Sequence, residues 1–288
     1  WERNRLTFTL GGVGPGAISV NPHCLDFGNY HAELTPLRLR GLRGFVFLSV
    51  VSNCNRKDIG LLLRSYFKTF NASDDVSLIL KTTEAFSGFQ FNRFCRRAVE
   101  PEFDMKDPAL PHVYHLNRTL SSERMRHLYA TCDVYVTTER GKGWDIPAME
   151  AMALGRPVVG IDWGGSTEFM SAENAFLVAP RSNMVYVEPE LVTSQELYTA
   201  HKWPDVSEES VCEQLRSAYT DAGLRAARGA AAREHVRSHF NLAAVGGLMK
   251  RRIEDMEFAG AGPNQVIIRR DCEREELVMK RLILECHE

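Results

Sequence analysis

No apolar run in this 288-residue chain reaches the roughly 18 to 20 residues that span a bilayer, and the opening WERNRLTFTL has no hydrophobic signal core. This excludes a spanning helix from the sequence as written and leaves peripheral membrane contact as the most that can be read into it. Neither charge is in surplus. Lys plus Arg number 35 against 37 Asp plus Glu, a formal charge of -2, so no overall basic field marks nucleic acid as the partner. The seven cysteines are Cys24, Cys54, Cys95, Cys132, Cys212, Cys272 and Cys286, an odd number without a C-x-x-C pair or short metal-ligand spacing. A disulfide miniprotein is excluded, no metal site is expected, and a reducing, cytoplasmic compartment is the simplest reading. The triplets at Asn71 and Asn117 would accept glycans only in a secretory lumen. What remains is ordinary globular material, 44% hydrophobic and 25% charged, enough for one large domain or two of usual size. The chain opens on Trp1, which reads as a processed chain or a fragment of a longer one.

Strands and helices alternate from residue 45 onward. FVFLSVV predicts a buried strand, and a helix follows in IGLLLRSYFKTF, whose Ile59, Leu62, Leu63, Tyr66, Phe67 and Phe70 recur at helical spacing. VSLILKT, VYHL, DVYVTT and PVVGI read as further strands. Between them lie helical patterns in GFQFNRFCRRAV, in SSERMRHLYATC with Ser at its N-cap, and in IPAMEAMAL, which stops at Gly155. Such alternation implies an α/β fold with a Rossmann-like parallel sheet covered on both faces, because parallel strands need crossovers that helices supply. Ligands of such sheets sit where loops leave the strand C-terminal ends, so the loops after Val51, Leu116, Thr138 and Ile161 are the places to search. From about Ser207 the pattern is helical only, AGAGPN at 259–264 reads as a linker, and the charged tail beyond it as a last helix. Residues 1–40 lack the rhythm. Their GGVGPG run is read as a turn, since no apolar-periodic helix follows to make a dinucleotide loop.

The densest unusual segment runs from Glu139 to Glu168 and joins a strand to a short helix through glycines, with Pro147 near the helix start, where its missing N–H costs nothing. Free backbone donors and the helix dipole favour an anion such as a diphosphate there. Glu150, inside the first turns, is placed to reach a ribose hydroxyl.

This segment resembles the donor-site signature of glycosyltransferase family 4, the "glycosyl transferases group 1", whose pattern is roughly E-G-F-G-L-P-x-x-E-A-M-A-x-G-x-P-V-V. Gly143, Trp144, Ile146, Pro147, Glu150, Ala151, Met152, Ala153, Gly155, Pro157, Val158 and Val159 fill or nearly fill it, and Gly164, Gly165 and Glu168 resemble the G-G-x-x-E that follows. Upstream, Val20, Asn21, Pro22, His23 and Asp26 resemble an interdomain segment, and Phe47-Leu-Ser-Val with Arg56 and Lys57 resembles the first strand and basic loop of the C-terminal domain. The resemblance covers about residues 18–258. It implies the C-terminal, nucleotide-sugar-binding half of a GT-B fold at 41–258, a remnant of the other half and its linker at 1–40, and a tail at 259–288. It further implies a retaining, metal-independent transfer of a hexosyl group from a UDP-, GDP- or ADP-sugar to an unknown glycan, lipid or protein acceptor held by an N-terminal domain, with no other cofactor. Lys57 and Lys142 are the catalytic candidates facing the diphosphate. Arg56, Gly143, Trp144, Asp145, Ile146 and Glu150 are the donor-binding candidates, and Asn117 borders the base.

Four positions depart from the pattern. The first glutamate of the E-x7-E pair falls on Lys142, a glycine on Asp145, another glycine on Asp58, and an arginine of the basic loop has no counterpart among Ser52, Asn53 and Cys54. Lys142 and Asp145 could neutralise each other, or Glu139 could serve as the substitute acid; otherwise Asp145 would repel a diphosphate. These departures keep open a second reading, a degenerate pseudo-glycosyltransferase that acts as a binding or scaffolding module. A nicotinamide-dependent oxidoreductase is disfavoured by the lack of a strand-G-x-G-x-x-G-helix unit. His235 and His239 stand four apart on a predicted helix without a third ligand and read as exposed helix residues, and Met149 and Met152 as core.

Overall fold

The computed structural model describes residues 2–30, 34–51, 55–83, 88–100, 102–194 and 198–258. The linker and tail helix expected beyond 258 lie outside these, as do Ser52, Asn53 and Cys54. The chain divides into two compact units, residues 1–246 and 247–288, and the fold described below belongs to the first.

Six strands form one parallel sheet: β1 (Phe45–Val50), β2 (Val76–Thr82), β3 (His112–Asn117), β4 (Val134–Thr137), β5 (Val158–Ile161) and β6 (Ala175–Val178), in the order β3-β2-β1-β4-β5-β6. Alternate side chains serve opposite faces, the period-2 consequence of the pleat. Val46 and Leu48 of β1 pack with helices α4 (Ser122–Thr131), α5 (Ile146–Ala153) and α8 (Ala222–His239), while Phe47 packs on the face of α2 (Ile59–Thr69), α3 (Gly88–Val99) and α7 (Glu208–Thr220). The expected α/β sheet, covered on both faces, is the fold observed.

Strand order reverses between β1 and β4. The chain leaves β1 toward β2 on one side, and later leaves β4 toward β5 on the other, so the strand C-terminal ends of β1 and β4 form a topological switch point, the place where sheets of this kind bind ligands. Two local features hold the loops there. Asp58 sits in the left-handed region at φ 43° and caps α2 by accepting from the Leu61 N–H at 3.1 Å. Gly165 has no room for a side chain, since a Cβ there would lie 1.8 Å from the Gly143 carbonyl oxygen.

Elements absent from the sequence-based reading are helix α1 (Glu2–Leu10), strand β6, and a small unit in which β7 (Met184–Tyr186) and β8 (Lys202–Pro204) pair antiparallel around α6 (Pro189–Ser194). Helix α1 buries no core: Leu6, Phe8 and Leu10 are all exposed. Helix α9 (Leu242–Phe258) follows α8. No helix among the described residues is long and apolar enough to cross a membrane.

Candidate active site

The loops leaving β1 and β4 carry the candidate residues. Arg56 and Lys57 lie in a short turn, Asn55–Lys57, after β1; Glu139 to Asp145 lie between β4 and α5. Glu139 is buried between them, with its side chain 4% exposed, and accepts from the Lys57 ammonium at 2.5 Å and from the Arg56 guanidinium. Arg56 also donates to the Gly141 carbonyl, and the Arg140 N–H donates to the Arg56 carbonyl at 2.9 Å. The Thr138 hydroxyl donates to the carbonyls of Lys57 and Asp58. The β1 and β4 loops are therefore stitched together by backbone and side chain alike.

A second pair lies deeper. Lys142 and Asp145 meet at 2.6 Å with both side chains 2% exposed, and the Lys142 ammonium also donates to Thr137 Oγ1 at 3.2 Å. Asp145, at φ 88°, offers its other oxygen to the Ala148 N–H and so caps α5. The carboxylate thus satisfies a helix end and a buried ammonium at once, which a glycine at this position could not do.

A third cluster joins Asp58 to Arg140 and Glu188, two residues not singled out in the sequence. Arg140 bridges Asp58 at 3.2 Å and Glu188 at 2.7 Å, and its guanidinium lies over the Trp203 ring at 5.3 Å. Burial pushes the Asp58 carboxyl up, against the opposing pull of Arg140 and the Leu61 N–H. Burial acts the same way on Glu188, but its own N–H, Arg140 and the Trp203 indole outweigh it, and its carboxyl is held below the ordinary value. Trp203 packs against Gly141, where a Cβ would come within 3.0 Å of its ring, so the β7–β8 unit rests on the β4–α5 loop. The four cations Arg56, Lys57, Arg140 and Lys142 thus stand against four carboxylates, Glu139, Asp58, Glu188 and Asp145.

Glu150 sits on the second turn of α5 and accepts from the Tyr30 hydroxyl at 2.7 Å. Burial, and then this bond to a carboxylate, raise the Tyr30 phenol pKa. Trp144 is buried at 7% exposure among Phe169, Phe240 and His23, and its indole N–H donates to Met149 Sδ at 3.1 Å. Its ring packs in the core, while Gly143 and Ile146 stay exposed at the loop and helix start. Met149 and Met152 are fully buried. Asn117 stands apart from this cluster, at the end of the edge strand β3, where it accepts from Thr82 Oγ1 at 2.9 Å. His115 stacks on Phe91, with ring centres 4.1 Å apart. His235 lies against His239 and Phe240, and no group of three or more His, Cys, Asp or Glu able to hold a metal occurs among the described residues.

Lys57, Lys142, Asp145 and Glu150 were singled out in the sequence; their neighbours Arg140, Glu188, Trp203 and Tyr30 were not. Only Arg140 had a signal, its position beside Glu139 in the motif loop.

A family model described as "Glycosyl transferases group 1" matches residues 43–188. No curated protein sequence matches the chain. Among solved structures, the sucrose-phosphate synthase of Thermosynechococcus elongatus is similar with a TM-score of 0.58 at 16% identity, covering 84% of this chain and 53% of its own. Anabaena HepE, in complex with UDP and glucose, gives 0.61 at 14%, covering 87% and 60%. The C-terminal domain of a group 1 glycosyl transferase from Francisella tularensis gives 0.51 at 15%, covering 76% of this chain and 99% of that domain. The chain therefore spans little more than half the length of the first two and nearly the whole of an isolated C-terminal domain.

Proposed function

Because the chain belongs to the glycosyl transferases group 1 family, we propose that it forms the donor-binding half of a retaining, metal-independent glycosyltransferase that takes a hexosyl group from a UDP-, GDP- or ADP-sugar. In this reading a second, N-terminal half holds the glycan, lipid or protein acceptor, and the enzyme works in the cytoplasm. The observation that carries it is the meeting of Arg56 and Lys57, from the loop after β1, with Glu139 and Gly141, in the loop that leads from β4 to α5, at the point where strand order reverses.

Transfer breaks the bond between the sugar's anomeric carbon and the diphosphate, and the electron pair leaves on a phosphate oxygen. Lys57 and Arg56 are the groups to stabilise that charge, acting as fixed electrostatic partners in place of a metal. They are preorganised by Glu139, which must share them with the incoming diphosphate. Lys142 is assigned to hold Asp145 neutral toward the donor, and Glu150, steadied by the Tyr30 hydroxyl, to accept from the ribose. Gly143 and Ile146 line the approach, and Asn117 borders the base only if the donor extends to the sheet edge.

A second reading, a pseudo-glycosyltransferase serving as a binding module, is favoured by one observation: every cation of the cradle is matched by a carboxylate of the chain itself. Calorimetric titration with UDP, GDP, ADP and their sugar conjugates, with and without divalent metal, separates the two. UDP-glucose is the first probe, since the Anabaena relative was solved with UDP and glucose. Saturable binding without metal, weakened by Lys57→Ala, supports the enzyme. Silence across the panel from a protein that melts cooperatively supports the module.

A further inference from the structure

Lys57 is held from both sides by one residue. The Arg140 N–H donates to the Arg56 carbonyl at 2.9 Å, and the Arg140 guanidinium pairs with the Asp58 carboxylate at 3.2 Å, so main chain and side chain grip the residues before and after it. The grip matters because the turn Asn55–Lys57 is too short to hold its own shape. Asp58 then leads the chain into α2 in a left-handed conformation, which residues with a side chain seldom adopt and which persists only where the surroundings fix it. Arg140 is in turn fixed from the β7–β8 unit. Its guanidinium pairs with Glu188 at 2.7 Å and lies 5.3 Å from the centre of the Trp203 ring, while the Trp203 indole N–H donates to the other oxygen of Glu188 at 3.1 Å. A planar guanidinium can take carboxylates at its edges and an aromatic ring on its face at once, which an ammonium cannot. The same ring closes on Gly141, whose carbonyl accepts from Arg56. Two successive residues of the β4–α5 loop thus carry contact from the β7–β8 unit to the basic turn.

We propose that Arg140 is a positioning residue for the donor's diphosphate, oriented by Glu188 and Trp203, so that the β7–β8 unit sets where Arg56 and Lys57 stand. This role rests on the donor reading of the site and extends it to a unit outside the two loops. Cations stabilise a leaving diphosphate best when they already stand where its charge forms, since turning them during transfer would cost much of what they supply. Charge alone makes the opposite prediction for Glu188. A carboxylate near a diphosphate repels it, so by charge alone its removal strengthens binding. Under the positioning role its removal weakens binding, because Arg140 loses a contact that orients it.

The test compares UMP with UDP, GMP with GDP and AMP with ADP by calorimetry on the full chain, beside a thermal melt. In the wild-type chain the second phosphate is expected to tighten binding. Glu188→Ala, at a side chain 36% exposed, and Arg140→Gln are each expected to weaken the diphosphate by about tenfold or more and the monophosphate by less than about twofold. Arg181→Gln, which removes the pair with Asp205 beside β8, is expected to change neither. Tighter diphosphate binding in Glu188→Ala overturns the proposal. So does an equal loss of monophosphate and diphosphate affinity, which marks general damage to the fold, or an unchanged ratio of the two in either variant. Silence of the wild-type chain toward every nucleotide removes the donor reading and this role with it, whereas wild-type preference for the diphosphate with an unchanged ratio in a variant removes this role alone.

Discussion

Replacing Lys142 by methionine keeps the length of the side chain, removes its charge, and strands Asp145 in a site where both partners were 2% exposed. Taking one member from such a pair leaves an uncompensated buried charge at a cost of about 3–5 kcal/mol. Asp145→Asn strands the ammonium instead, while asparagine still caps a helix and still tolerates the left-handed backbone at φ 88°, so the change isolates the charge. Combined, the two substitutions leave no charge to solvate, and the double variant should lose less than about 2 kcal/mol, because neutral replacement of a buried pair is often close to neutral. Urea denaturation of the four proteins measures the coupling, expected at more than about 3 kcal/mol. If the single costs add to within about 0.5 kcal/mol, the two groups do not interact and the argument is wrong. The same geometry governs reversion toward the family pattern. Lys142→Glu alone sets a second carboxylate against Asp145 and should destabilise as much as Lys142→Met, whereas Lys142→Glu/Asp145→Gly removes the clash and should fold.

Gly165→Ala forces the Gly143 carbonyl aside, and a cost of about 1–3 kcal/mol with loss of nucleotide binding is expected by thermal melt and calorimetry. Glu150→Ala should weaken nucleotide-sugar binding by about 1–3 kcal/mol if its carboxylate accepts from the ribose, and unchanged affinity would remove it from the site. Burial holds the imidazoles of His112, His115 and His235 below their ordinary value of 6.5, helped by Arg43 for His112 and by His239 for His235. Their stabilising contribution is therefore present in full above pH 6.5 and is lost as the pH falls through the lowered folded-state values, so Tm should drop on acidification from pH 7.5 to 5.5, and less steeply in His115→Gln.

The central strands β1 and β2 were legible because they are buried on both faces, whereas β6, four residues long, was not. FVFLSV and VSLILKT carry apolar runs that only a covered parallel sheet accommodates, and the helices between them repeat at 3.6 residues. β7 and β8 were not legible, since three residues each show no periodicity and their small core of Val187 and Trp203 forms only on folding. Leu6, Phe8 and Leu10 of helix α1 are exposed, so it offered no buried apolar stripe to read among its described side chains. At the site, the motif located the loop but not its partners. Glu139 is 82 residues from Lys57, a separation closed by the adjacency of β1 and β4, and Glu150 is 120 from Tyr30, which lies in the segment before the sheet.

Seen one at a time, Lys142, Asp145 and Asp58 look like separate injuries to a donor site. The structure joins them. Lys142 and Asp145 neutralise each other, and Asp58 is answered by Arg140 while it caps the helix that follows the basic loop. Uncorrelated decay would leave buried charges without partners, each costing several kcal/mol, and the fold could not carry many of them. Paired changes keep the loops in register but leave the cradle neutral, so a diphosphate gains less from Arg56 and Lys57 than it would if Glu139 did not already hold them. Donor affinity should therefore be low and strongly dependent on Glu139, and the difference between a weak enzyme and a binding module reduces to whether the diphosphate can take those two cations from one buried carboxylate.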